Sequence, residues 1–183
     1  MISDASVGGF KIHMRQDKTD VKEWLHTTWR LLVRPGEFFE AMQPEGGLGP
    51  PLTFLAVCSG FSGVLSAVYA YQDPWVTAFS RFANGFLTPF VLALLLYPVT
   101  LFLCGDAFTL RSLLKISAYA QVTLLFSWIP GIGWVAGLWR FYLIGLGMVR
   151  AGRITPLRAA SAILAAAAIF LALYRVMQPL LGA

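Results

Sequence analysis

The chain has 183 residues, 57% of them hydrophobic and 13% charged, whereas a soluble domain carries about 25% charged residues. This excludes an ordinary water-soluble globule. The net charge of +5 does not point to nucleic acid, because the basic residues are scattered and mostly flank apolar runs, as membrane topology signals do.

Residues 1–19 have no hydrophobic period and are expected to form a disordered tail. From there Val21, Trp24, Leu25, Thr28, Trp29 and Leu32 recur on one helical face. Asp20 followed by Glu23 resembles a capping box. Arg34-Pro35 should end this helix, because the residue before proline avoids the α region. A second short helix over 37–42 carries Phe38, Phe39 and Met42 on its apolar side. Helices of this kind lie in the membrane interface or pack under a bundle. Docking to a specific partner is the alternative for this arm over 20–51.

A spanning helix needs about 20 predominantly apolar residues. Five runs approach that length: 52–71, 82–104, 113–129, 132–149 and 159–177, with a short tail over 178–183. Residues 1–51 are polar, so insertion should be signalled by the first span itself. Pro89 and Pro98 are kink sites in the second run. The third and fourth runs flank Pro130-Gly131 and should form a tight antiparallel hairpin. Two thin spans are favoured there over a re-entrant pair. The expected fold is therefore all-α: a bundle of five transmembrane helices preceded by an amphipathic arm. With five spans, Arg30, Arg34, Arg111, Lys115, Arg150, Arg153 and Arg158 share one side, against Arg81 and Arg175 on the other. That bias predicts a cytoplasmic N-terminus and a C-terminus outside.

A pattern now stands out. Trp29…Leu32…Pro35…Phe38-Phe39…Met42 precedes an apolar bundle, followed by Tyr119…Ile129-Pro130…Ile132-Gly133…Trp139…Leu143…Gly145-Leu146. This resembles the Yip1 domain family over roughly residues 24–175. Family members often carry a proline shortly after the tyrosine, and Ala120-Gln121-Val122-Thr123 has none. The resemblance implies five spans and a cytoplasmic N-terminus. Eukaryotic relatives act in early secretory traffic, bind small GTPases and one another, and influence membrane shape. The short arm and minimal loops look more like a prokaryotic member, which implies the bacterial inner membrane and leaves GTPase binding behind.

Arg140 stands roughly 12 Å past Ile132, near mid-depth. An arginine there costs about 2.5–3.5 kcal/mol on translocon scales. Gly133, Gly137, Arg140, Ile144 and Gly147 share one helical face, and small residues mark close approach of membrane helices. Arg140 should therefore point into protein. Gln121 lies as far before the turn as Arg140 lies after it, so the two reach one depth, with Ser117 a turn away. Asp73 could reach Arg140 only if its loop dips inward. Ser59, Ser62, Gly63 and Ser66 form a polar seam on the first span, and Asn84 and Thr88 add polarity to the second. These residues could line a small hydrated cavity or simply pack helices. Arg150, Arg153 and Arg158 suit an anionic leaflet, each adding about 1 kcal/mol of attraction.

Neither cysteine, Cys58 or Cys104, has a Cys or His neighbour at ligand spacing, and only His13 and His26 remain. No metal, cofactor or catalytic motif is expected. The leading expectation is a non-enzymatic membrane scaffold that engages lipids, a membrane partner or a second copy through its small-residue faces, and not nucleic acid. The alternative is a small transporter, scramblase or channel with Arg140 in its path.

Overall fold

A computed structural model describes residue 22 and residues 24–42, 46–70, 73–129 and 131–181, without side chains beyond residue 175. The expected tail, Val21 and the Asp20–Glu23 pair lie outside the described residues. Helix α1 covers 24–33. It stops where anticipated: Arg34 leaves the helical region at φ −137° and ψ 59°, and Pro35 opens α2 (Pro35–Ala41). Proline suits that first position, because its missing N–H would have no partner there.

The bundle follows as α3 (Gly49–Val68), α4 (Pro74–Cys104), α5 (Leu110–Ala120), α6 (Leu124–Ser127), α7 (Ile132–Gly152) and α8 (Pro156–Leu181). Every described regular element is helical. Four stretches are long and apolar enough to cross a bilayer: Gly49–Val68, Pro74–Ala107, Ile132–Gly152 and Pro156–Arg175. Helix α4 begins well before the expected 82, because Pro74 starts it and nothing breaks it before Phe82. Its 31 residues reach about 46 Å, more than the roughly 30 Å hydrocarbon core, so it tilts or projects. Helix α8 runs past Pro179 to Leu181, so most of the expected 178–183 tail is helix.

The third expected span differs most. It is not one long helix but α5, a 3-10 turn at Gln121–Thr123, and α6. The turn stands where the family proline is missing. The backbone nonetheless stays right-handed across it. Gln121 has φ −71°, Thr123 −63°, and the Leu124 N–H reaches the Gln121 and Val122 carbonyls. A 3-10 turn rises about 2 Å per residue, so 110–127 extends about 28 Å. Ser112, Leu113, Lys115, Ile116, Ser117, Ala118, Ala120 and all of Gln121–Thr123 are buried. Helix α5 touches α3, α4 and α7, whereas α8 lies against α4 and α7 at the side. The least apolar segment is thus the innermost one, where it meets protein rather than lipid.

Apolar side chains cover the outside. Phe102 is 90% exposed, and Trp75 and Trp134 are 87% exposed. In water such coverage would be an aggregation surface; against lipid it is the expected exterior. Trp75 and Trp134 open α4 and α7 at one end, where Tyr69 stacks on Trp128 with centroids 5.9 Å apart. Such aromatics mark a membrane–water boundary. The opposite end carries α1, α2 and most of the arginines. Arg150, on the last turn of α7, pairs there with Glu40 of α2 at 3.3 Å.

A candidate buried polar site around Arg140

The turn between α6 and α7 sets the site. Gly131 takes φ 86°, a conformation open to glycine without steric cost. The Ile132 N–H bonds back to the Ile129 carbonyl at 3.2 Å. The two segments then run side by side, and Arg140 Nη1 donates to Gln121 Oε1 at 3.2 Å. Gln121 is fully buried. Its Nε2, the Nε of Arg140, and the hydroxyls of Ser117 and Ser59 are buried without a hydrogen-bond partner among the described residues. A neutral amide satisfies one donor but cancels no charge. Among the described residues no carboxylate pairs with Arg140; the two ion pairs, Arg34–Glu37 and Arg150–Glu40, sit at the other end. Asp73 is exposed at the head of α4, with a left-handed φ of 44°, and does not reach Arg140.

The serine seam divides. Ser59 is buried beside Gly85, where an added Cβ would lie 3.1 Å from its oxygen. Ser62 meets Ser127 of α6 at 3.4 Å. Ser66 is half-buried and makes no hydrogen bond among the described residues. Thr88 donates to the Asn84 carbonyl and, at 3.2 Å, to its side-chain oxygen.

Two cavities meet at Arg140. One, of about 640 Å³, opens toward the turn and is lined by Arg81, Ser62, Ser127, Gly131 and Trp134. The other, of about 440 Å³, runs the opposite way between α4, α7 and α8 past Leu92, Leu96, Ile163, Ala167 and Phe170. Asn84, Thr88, Arg140 and Phe141 line both. From the sequence, Arg81 stood out only as a topology charge and Ser127 not at all. A signal for Arg81 existed: Arg81, Asn84 and Thr88 fall at i, i+3 and i+7 on one face.

The glycine face splits in the same way. A Cβ at Gly147 would lie 2.6 Å from Ile116 Cγ2 and 3.2 Å from the Phe39 ring. Helix packing thus requires glycine there. Gly137 has open space before it and lines the larger cavity, and Gly133 meets only the Ser127 carbonyl of its own turn. Gly137 packs against no other helix, because the α6–α7 end widens into the cavity, and Gly133 touches only the last residue of α6. Close approach falls instead at Gly63, Gly85 and Gly152, which face Ala78, Leu124 and Phe108.

The arm is docked, on a face shifted from the expected one. Thr28, Leu31 and Phe39 are buried, and Trp24, Leu32 and Phe38 are partly buried against the core. Leu25 and Trp29 point outward at 54% and 66% exposure, with Val33 in the same row. The expected stripe was wide enough to serve two surfaces. A chain of rings ties the arm to the bundle: Trp24 to Phe54 at 6.1 Å, Phe54 to Tyr119 at 5.5 Å, and Tyr119 edge-on to Phe38 at 4.9 Å. Of the basic cluster, Arg153 and Arg158 are exposed, and Arg150 is engaged by Glu40. Among the described residues no group of His, Cys, Asp and Glu could hold a metal ion.

No curated protein and no solved structure matches this chain significantly. A family model, the Yip1 domain, matches residues 29–177. The match begins at Trp29 in the docked arm and covers the whole apolar bundle, so the protein is a multi-pass membrane protein and belongs to the Yip1 domain family.

Proposed function

We propose that the protein is a non-enzymatic, five-span membrane scaffold of the Yip1 type that engages lipids, with its arm on the cytoplasmic face and its C-terminus outside. The observation that carries this reading is the arm itself. On α1, Leu31 is fully buried against the bundle, while Leu25, Trp29 and Val33 stay exposed in a row. A helix apolar on two faces can hold to the bundle with one and to the interface, or a membrane partner, with the other. Five spans are supported by the unbroken right-handed backbone through 110–127 and its reach of about 28 Å. Arg150 pairs with Glu40 of α2, and Arg153 and Arg158 follow it in the chain; with Arg111, these basic residues flanking the spans support a cytoplasmic arm, in the bacterial inner membrane.

Two measurements test this. Reporter fusions at the two termini should lie on opposite sides of the membrane; the same side for both rejects five spans. Reconstituted vesicles should show no solute flux and no lipid scrambling above empty vesicles. Activity that Arg140→Gln abolishes would establish the transporter or scramblase reading instead.

A further inference from the structure

We propose that the bundle holds one anionic phospholipid, with its phosphate between Arg140 and Arg81 and one acyl chain in the groove between α4, α7 and α8. This rests on the lipid-engaging reading above and names the lipid class.

Charge comes first. Arg140 and Arg81 line one cavity with Ser62, Ser127, Asn84 and Thr88, and among the described residues neither has a carboxylate partner. Arg140 spends one donor on Gln121 and keeps a buried Nε–H without a partner. A guanidinium carries five donors in a fork that matches phosphate oxygens. A half-buried cation with one neutral acceptor and a sealed Nε–H is costly within a membrane-spanning helix, and an anion brought to it recovers that cost.

Shape decides what kind of anion. The polar cavity does not end at Arg140. It joins, through Asn84, Thr88, Arg140 and Phe141, a groove whose remaining lining is leucine, isoleucine, valine, alanine and phenylalanine. From Thr88 to Leu96 that groove follows α4 for about 12 Å. It leads away from the turn and its tryptophans, toward the bilayer interior. A soluble anion would use the polar part and leave the groove. An uncharged lipid would use the groove and leave two guanidiniums bare. A lipid with phosphate, net negative charge and a hydrocarbon chain fits both, in the direction a lipid takes from the boundary marked by Trp75 and Trp134. The ammonium of a zwitterionic headgroup would instead be repelled by the two guanidiniums.

Native mass spectrometry of the full chain in mild detergent tests this. Phosphatidylglycerol is the anionic probe, with phosphatidylethanolamine, diacylglycerol and millimolar inorganic phosphate as controls. The expected result is one phosphatidylglycerol retained per chain, neither matched by the other two lipids nor displaced by phosphate. Arg81→Gln, at an exposed position, should weaken retention at least tenfold without touching the fold. Arg140→Gln should do the same, and Arg140→Lys should restore part of it. Ala167→Phe, which fills the groove and keeps both charges, should also expel the lipid. Unchanged retention in Arg81→Gln, or diacylglycerol held as well as phosphatidylglycerol, overturns the proposal. Displacement by inorganic phosphate overturns it in favour of a soluble-anion site. Flux or scrambling in the vesicle assay would reject the scaffold reading even with the lipid in place. Silent vesicles with no retained lipid would reject this inference alone.

Discussion

Phe39→Ala should release α2 from the bundle. Phe39 has no exposed surface. Its ring lies against Gly147 and edge-on to Phe38, with centroids 5.6 Å apart at 81°. Truncating a buried phenylalanine costs about 3–5 kcal/mol. Phe38 is beside the void and only partly buried, so some collapse is available and the lower end, about 3 kcal/mol, applies. Helix α2 has seven residues, too few to hold itself once undocked. The loss should therefore appear locally, as fraying of α2 rather than unfolding of the bundle. At about 1.4 kcal/mol per decade, exchange of the amide hydrogens over 38–41 should quicken roughly a hundredfold, while α4 and α7 keep their protection. Hydrogen exchange followed by mass spectrometry measures both regions at once. Protection of 38–41 within twofold of wild type would refute the docking argument, and so would equal loss in α4.

Gln121→Leu should cost about 1.5–3 kcal/mol by stripping Arg140 of its acceptor, and adding Arg140→Met should recover most of it. Thermal unfolding in detergent reads this, and a double variant less stable than the single one sinks it. Gly63→Ala should destabilise by about 1–3 kcal/mol, because its Cβ would meet the Ala78 main-chain oxygen at 2.8 Å. Gly85→Ala should cost less, since its first obstacle at 2.9 Å is the flexible end of Leu124. The reverse order of unfolding temperatures would contradict the packing. An environment-sensitive dye on Trp29→Cys, in a background lacking Cys58 and Cys104, should report an interfacial emission in vesicles. The same dye on Glu37→Cys should report water, and equal emission at both sites would remove the lipid-facing role of α1.

Sequence alone was enough for the class, the family and the places where helices turn. Apolar runs located the long helices, and Pro35 and Pro50 marked helix starts, because proline suits the first turn; Pro89, Pro98 and Pro179 lie inside helices and ended none. It was also enough to bring Gln121 and Arg140 to one depth, because helical rise is fixed and the turn between them is short. It did not show which faces meet. In water a helix announces its buried side by a polar opposite side; in a bilayer both sides are apolar and the period fades. Only packing revealed that α5 and its 3-10 turn are the centre of the bundle. Packing also decided that Leu31 rather than Leu25 faces inward, that Gly63 and Gly85 rather than Gly137 carry close contacts, and that Arg81 shares the cavity of Arg140. Each depends on where a neighbouring helix lies, and no local pattern contains that.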